Sequence, residues 1–257
     1  PKSKLLPEMG YDRAFSLYRV GDFAGSADEL QGLLASFPDH AQTPDVLHLL
    51  AVSEHQRGNY EPSQLRCTEF LKRFPKHEWS AAVEFLAAEN DFLAGRYTEA
   101  AQKYERLLGS MTDPSQIKKA RFRLGLAQYH LDRPDEALAS LRIVAPNPTV
   151  EEPYQASLLA IGDIYLQRGE WKQADAYLRA YVEPEKKAPA ADDAWLKIGS
   201  CALRQDRFSQ SVLAFDRLLK EHPSSPHCVQ AMFERGQALL ADNKFDDAAI
   251  AFRSVVD

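Results

Sequence analysis

Gly169-Glu170-Trp171, followed three positions on by Ala174, and Asp206-Arg207-Phe208, followed likewise by Ser211, are two copies of one signature set 37 residues apart. Five more keep the same interval: Gly21-Asp22-Phe23, Gly58-Asn59-Tyr60, Gly95-Arg96-Tyr97, Asp132-Arg133-Pro134 and Asn243-Lys244-Phe245. The first position is always Gly, Asp or Asn, the residues that most easily take the left-handed backbone conformation closing a helix. Two places later comes an aromatic residue, or once a proline. A small residue follows three places after that: Ser26, Ser63, Ala100, Ala137, Ala174, Ser211 and Ala248. A fixed period of this length predicts a solenoid, whose usual work is holding other molecules. It overrides the two globular domains that 257 residues would suggest by length. Residues 1–257 are therefore expected to form a single array, with helix pairs turning at about 21, 58, 95, 132, 169, 206 and 243.

Each turn separates a helix A from a helix B. In the fifth period helix A is expected from about Glu151 to Arg168, where Leu158, Leu159, Ile161, Ile164, Tyr165 and Leu166 form a wide helical stripe. Seven residues before each turn residue stands a small one: Ala14, Ala51, Ala88, Gly125, Gly162, Gly199 or Gly236. Gly inside a helix costs roughly 1 kcal/mol against Ala, so its use here points to close packing against helix B. Helix B repeats one face, as in Ala100-Tyr104-Leu107-Leu108 and Ser211-Phe215-Leu218-Leu219. Pro62 and Pro134 fit the first turn of helix B, and Pro38, Pro75 and Pro223 end three B helices. Glu61, Glu99, Asp135, Glu136, Asp246 and Asp247 suit the positive end of the helix dipole. Glu151-Glu152 and Asp192-Asp193 read as solvated caps. Helices of about 11 to 16 residues are not stable alone in water, so the array is the folding unit.

A small residue at the eighth position of helix A, Gly at the turn, an aromatic two later, Ala or Ser three after that, and Pro closing helix B: this pattern resembles the tetratricopeptide repeat, from about Pro7 to Asp257. That family's commonest repeat is about 34 residues long. The three additional residues here fall in the link from helix B to the next helix A. Phe37-Pro38-Asp39-His40-Ala41-Gln42-Thr43-Pro44 and Phe74-Pro75-Lys76-His77-Glu78-Trp79 are examples. Such links look like those of bacterial envelope repeats, among them the Tol–Pal-associated coordinators and the barrel-assembly lipoproteins. The resemblance implies an all-α fold, a right-handed superhelix of about seven antiparallel helix pairs. Helices A would line a concave groove and helices B the convex face. By that resemblance the second, fifth, ninth and twelfth positions of helix A feed the groove. The candidate partner-binding residues are then Tyr11, Phe15, Tyr18, His48, His55, Phe85, Glu89, Phe92, Phe122 and Tyr129. In the last three periods the fifth and twelfth positions are mostly aliphatic, as in Leu159, Leu166, Leu196 and Leu203. Glu8, Asp45, Glu89, Asp163 and Asp193 stand at second or ninth positions, with Lys119 the basic exception. An acidic lining favours a basic or neutral extended segment. The family's clamp for C-terminal carboxylates needs Lys and Asn on neighbouring A helices, and no Asn occupies a ninth position here.

Catalytic signatures are missing: there is no GxSxG, HExxH, phosphate loop or GxGxxG, and seven turns in register leave no insertion to build a site. The chain is expected not to be an enzyme and to need no cofactor. His48 and His55 lie about 10 Å apart by helical rise, too far to share one metal. His222, His227 and Cys228 offer zinc-type ligands without a fourth. The three cysteines show no CxxC spacing and read as free thiols, buried or partly so. A net charge of −6 argues against nucleic acid or an anionic membrane surface as partner. No apolar run approaches the ~18 residues of a span.

The expected function is a non-catalytic scaffold for a peptide or protein partner, in bacterial envelope assembly by the resemblance, with a periplasmic location favoured over a cytoplasmic one. The alternative is a recruiting or regulatory arm of a larger enzyme or secretion complex. The opening Pro1 and the stop at Asp257, inside a helix B, read as the ends of a piece of a longer protein. An uncapped last helix would expose Phe252, Val255 and Val256, which predicts end-to-end contacts between molecules or a fraying terminus.

Overall fold

The computed structural model describes residues 6–145, 154–182 and 188–255. These residues form fourteen α-helices and no strand, the all-α fold expected. The A helices are α1 (Leu6–Arg19), α3 (Thr43–Gln56), α5 (Ser80–Leu93), α7 (Pro114–His130), α9 (Tyr154–Gln167), α11 (Ala191–Leu203) and α13 (Cys228–Ala241). The B helices are α2 (Phe23–Ser36), α4 (Tyr60–Arg73), α6 (Tyr97–Leu108), α8 (Pro134–Val144), α10 (Trp171–Val182), α12 (Phe208–Glu221) and α14 (Phe245–Arg253). Lengths run from 9 residues in α14 to 17 in α7, a wider spread than expected. The long one starts a turn early because the Asp113 side chain accepts from Ser115 N–H at 3.1 Å and Pro114 takes the first helical place.

All seven signature residues have left-handed backbone. Gly21, Gly58, Gly95 and Gly169 lie at φ between 69° and 86°, and Asp132, Asp206 and Asn243 between 55° and 61°. The same pair of hydrogen bonds closes each turn. Gly58 N–H donates to His55 C=O, and Asn59 N–H to Glu54 C=O, both at 2.9 Å. This is the Schellman closure, which satisfies carbonyls left over at a helix end. Period four has lost both the glycine and the aromatic, yet Asp132 N–H reaches Tyr129 C=O at 3.1 Å and Arg133 N–H reaches Gln128 C=O at 2.9 Å. Asp tolerates the left-handed region well enough to keep the geometry.

The small residues sit where the A and B helices of a pair meet. A Cβ built on Gly236 would lie 2.6 Å from the Phe252 ring, and one on Gly162 2.8 Å from the Leu178 side chain; Gly199 faces Phe215 more tightly still. Pro62 and Pro134 occupy the first turns of α4 and α8, and Pro38, Pro75 and Pro223 lie just past α2, α4 and α12. Cys67 and Cys201 are buried free thiols, while Cys228 is half-buried.

The contacts divide the chain into two compact units, Pro1–Arg133 and Pro134–Asp257. In the first, every helix packs on its predecessor and successor, and α1, α3, α5 and α7 also touch in succession. Leu30, Leu47, Leu50, Phe70 and Tyr104 are fully buried there. The second unit packs by the same rule from α8 to α14, with α11 also touching α13, around Ile161, Ile164, Leu178, Ile198, Phe215 and Leu218.

Two expectations need correction. Phe252 is not left in solvent: it is half-buried against Leu239, Ala248 and Ala251, with its ring 5.8 Å from that of Phe233. The missing side chain of Gly236 gives it room. Val255 is half-buried too, and Val256 lies outside the described residues. What α14 leaves in solvent is Phe245 and Ile250, 61% and 66% exposed. Nor are Asp192 and Asp193 solvated caps. Asp192 accepts from Ser225 Oγ at 2.6 Å and Asp193 pairs with Lys197, because the next B-to-A link brings Ser225 over the start of α11. Glu151-Glu152 lie outside the described residues.

Candidate functional site

All ten candidate side chains belong to the first unit, on α1, α3, α5 and α7, the helices that touch in succession. None of the ten is fully buried, whereas Ala14, Leu47, Leu50, Ala88 and Ala127 on the same helices are. Helical periodicity turns the two sets to different sides.

On α1, Tyr11 and Phe15 stack with centroids 6.5 Å apart, Phe15 being 42% exposed, and Tyr18 tilts against Phe23 at 5.4 Å. On α3, His48 stacks on Trp79 at 4.7 Å, and Trp79 Nε1 donates to Asp45 at 3.2 Å. Burial holds the His48 imidazole below its ordinary pKa; Asp45 opposes the shift and His77 adds to it. His55 plays another part. Its Nδ1 lies 2.7 Å from Asn90 Oδ1; Asn90 Nδ2 donates to Ser63 Oγ at 2.8 Å, and Ser63 donates to Ala51 C=O at 2.8 Å. Because Oδ1 can only accept, Nδ1 carries the proton. His55 thus anchors a buried polar chain across three helices.

On α5, Phe85 meets Tyr104 edge-on at 5.8 Å and Phe92 meets Tyr97 at 5.5 Å. Glu89 accepts from the Tyr104 hydroxyl and pairs with Arg123 at 3.0 Å. Arg123 of α7 lies over Phe92 at 5.0 Å and over Phe122 at 5.9 Å. Tyr97 stacks on His130 at 4.3 Å, and His130 lies 5.8 Å from Tyr129. The candidate rings of the four helices make an aromatic band of separate groups: Phe92, Phe122 and Tyr129 are linked through Tyr97, His130 and Arg123, while the rings of α1 and α3 make contacts of their own. Counting groove positions missed four of the contacting residues: Trp79, Tyr97, Arg123 and His130. Trp79 falls in a link and Tyr97 in a turn signature, so neither occupies a helix A position.

The acidic lining is largely neutralised from within. Glu89 is paired as above, and Asp163 and Asp193 both pair with Lys197, at 2.7 Å for Asp163. Arg123 and Lys197 stand at the sixth position of helix A and reach the ninth position one period earlier, 34 residues back. Ser200 and Glu234 repeat the spacing with a hydrogen bond. The signal was present in the sequence as a complementary pair at that interval. In the second unit, Cys228 Sγ donates to His222 C=O at 3.3 Å, and His227 lies 3.9 Å from Asp193. Among the described residues no three His, Cys, Asp or Glu are grouped to hold a metal. The second unit also has an open depression of about 780 Å³ at corresponding positions of α11 and α13, with Leu203, Phe233 and Trp171 as its apolar lining.

The sequence matches the description "Tetratricopeptide repeat" over residues 85–150, 159–226 and 202–257, more than half of the chain. The chain belongs to the tetratricopeptide repeat family. Tetratricopeptide repeats generally serve as scaffolds for protein interaction rather than as catalysts. The C-terminal part of a TPR repeat-containing protein from Cytophaga hutchinsonii is similar in structure, with TM-score 0.75 and 14% identity, covering 96% of this chain and 94% of that one. A tetratricopeptide repeat protein from Parabacteroides merdae gives 0.64 and 15%, covering 97% and 91%. YrrB, described as a TPR protein with an unusual peptide-binding site, gives 0.59 and 16%, covering 77% and 95%. At such identities the likeness concerns the fold alone. No curated protein matches the sequence. No helix among the described residues is long and apolar enough to cross a membrane.

Proposed function

We propose that this tetratricopeptide repeat chain is a non-catalytic scaffold that holds an extended peptide or protein segment along the aromatic band of α1, α3, α5 and α7. The observation that carries the reading is that all ten candidate side chains stay partly uncovered while the core positions of the same helices are closed. The rings other than Phe122 are also held at a set angle by a neighbouring ring, as Phe85 is by Tyr104 and His48 by Trp79. Anchors with little freedom left to lose bind at low entropic cost. Since Glu89 and Asp45 already have partners, the segment is read as chiefly apolar rather than basic. A setting in bacterial envelope assembly is part of the proposal and rests on the 37-residue period with its aromatic-proline links.

The test is a pull-down with the intact protein, followed by affinity measurement on the captured partner. Phe85→Ala and Phe122→Ala should each weaken binding about tenfold, the loss of one buried aromatic anchor. Phe85 packs on Tyr104, so helicity and melting temperature are measured alongside. Unchanged affinity in both folded variants would sink the reading.

A further inference from the structure

The second unit carries a furrow apart from the helix A positions considered so far. It lies between α10 and α12, encloses about 470 Å³, and is lined by Arg179, Trp195, Gln210, Leu213, Ala214 and Arg217. No carboxylate lines it. The nearby acids are already engaged: buried Asp175 pairs with Arg179 Nε at 3.0 Å and with Arg207 Nη2 at 2.9 Å, and Glu221 accepts from Arg217 Nε at 3.1 Å. Both lining arginines thus use Nε, and their terminal nitrogens have no partner among the described residues. Arg207 Nη1 donates to Gln210 Oε1 at 2.7 Å, which leaves the Gln210 amide nitrogen as a third donor. The Arg217 guanidinium lies over the Trp195 ring at 4.5 Å, and Leu213, on the same helix as Arg217, is 67% exposed.

We propose that this furrow is a docking site for an acidic segment of a protein partner, one that carries a leucine- or phenylalanine-sized side chain beside its carboxylates. Guanidinium groups recognise carboxylates through paired N–H donors, and these two are positioned in advance by their own acids. The volume suits a few side chains, and Leu213 with Trp195 offers the apolar wall. The matching furrow of the first unit is built differently. It encloses about 230 Å³ and keeps Arg106 at the repeat position of Arg217, but Thr68, Glu84 and Gln102 stand where the second unit has Arg179, Trp195 and Leu213, and its Lys103 is bound to Asp91. It therefore lacks the second arginine and the apolar wall, and the pair of guanidinium groups beside Trp195 and Leu213 belongs to the second unit and not to the repeat as such.

A random peptide library displayed on phage and selected on the intact protein tests this. The recovered peptides should be enriched in Asp or Glu next to Leu or Phe. They should bind the Arg179→Gln/Arg217→Gln double variant about tenfold more weakly, and lose affinity as salt rises. Leu213→Ser, which alters an exposed side chain with little risk to folding, should weaken them as well. Phe85→Ala and Phe122→Ala should leave them unchanged, which keeps this result separate from the fate of the aromatic band. Recovery of no acidic peptide, or of acidic peptides indifferent to both the arginine and the Leu213 variants, overturns the proposal.

Discussion

Gly95 sits at φ 76° with nothing within 4 Å of where a Cβ would stand. The demand at this turn is therefore conformational and not one of space. Gly95→Val should cost about 1–2 kcal/mol, and Gly95→Asn clearly less; the urea midpoint at constant slope reports both. Such turns were legible in the sequence because one backbone angle decides them. The side chains of the aromatic band were legible only in part. Whether His48 meets a ligand or a neighbour depends on Trp79, which lies in a link outside the counted positions. His48 also makes a pH-dependent contribution. Its pKa in the folded chain lies below the unfolded value of about 6.5, so the unfolded chain binds more protons in that range. The stabilisation is present above about pH 6.5 and is lost as pH falls through that value toward the folded pKa. Melting temperature should drop between about pH 7.5 and 5.5, and His48→Gln should flatten the decline. An equal slope in the variant would assign the drop to other groups.

At the scale of helices, the close approach of α11 and α12 rests on Gly199 under Phe215. Ala is the better helix former, by roughly 1 kcal/mol, but its methyl would have to displace the ring. Overpacking of this kind costs about 1–3 kcal/mol, so Gly199→Ala should be neutral to destabilising despite its propensity. Adding Phe215→Leu should recover part of the loss; thermal melts of the single and double variants decide. Helix ends were well placed from the sequence, since Pro38, Pro75 and Pro223 fix three of them. The early start of α7 was not foreseen, because it depends on Asp113 followed by Pro114, a pair that no other period has at that place. The pairs linking sixth and ninth positions escaped notice for a different reason. They join helices 34 residues apart in a chain whose visible period is 37.

Across the whole molecule, the contacts within each unit join only helices close in sequence. Stability in such a chain is local and adds up from neighbour to neighbour. Eight residues of α11 are buried and two of α14. Backbone amides of α14 should therefore exchange with solvent well before those of α11 in the 257-residue chain. Equal protection by hydrogen-exchange mass spectrometry would show that something else holds α14 down.

The pairing at 34 residues also bears on how such a chain can lengthen or shorten. Excising residues 59–95 would join Gly58 to Arg96-Tyr97 and restore a complete signature, with every later interval intact. Arg123 would then face Val52, the ninth position of α3, in place of Glu89. The main chain would accept the splice while the guanidinium lost its carboxylate. Neighbouring repeats are thus interchangeable as backbone yet ordered by their side chains. Whole copies can be gained or dropped without loss only where no such pair spans the junction.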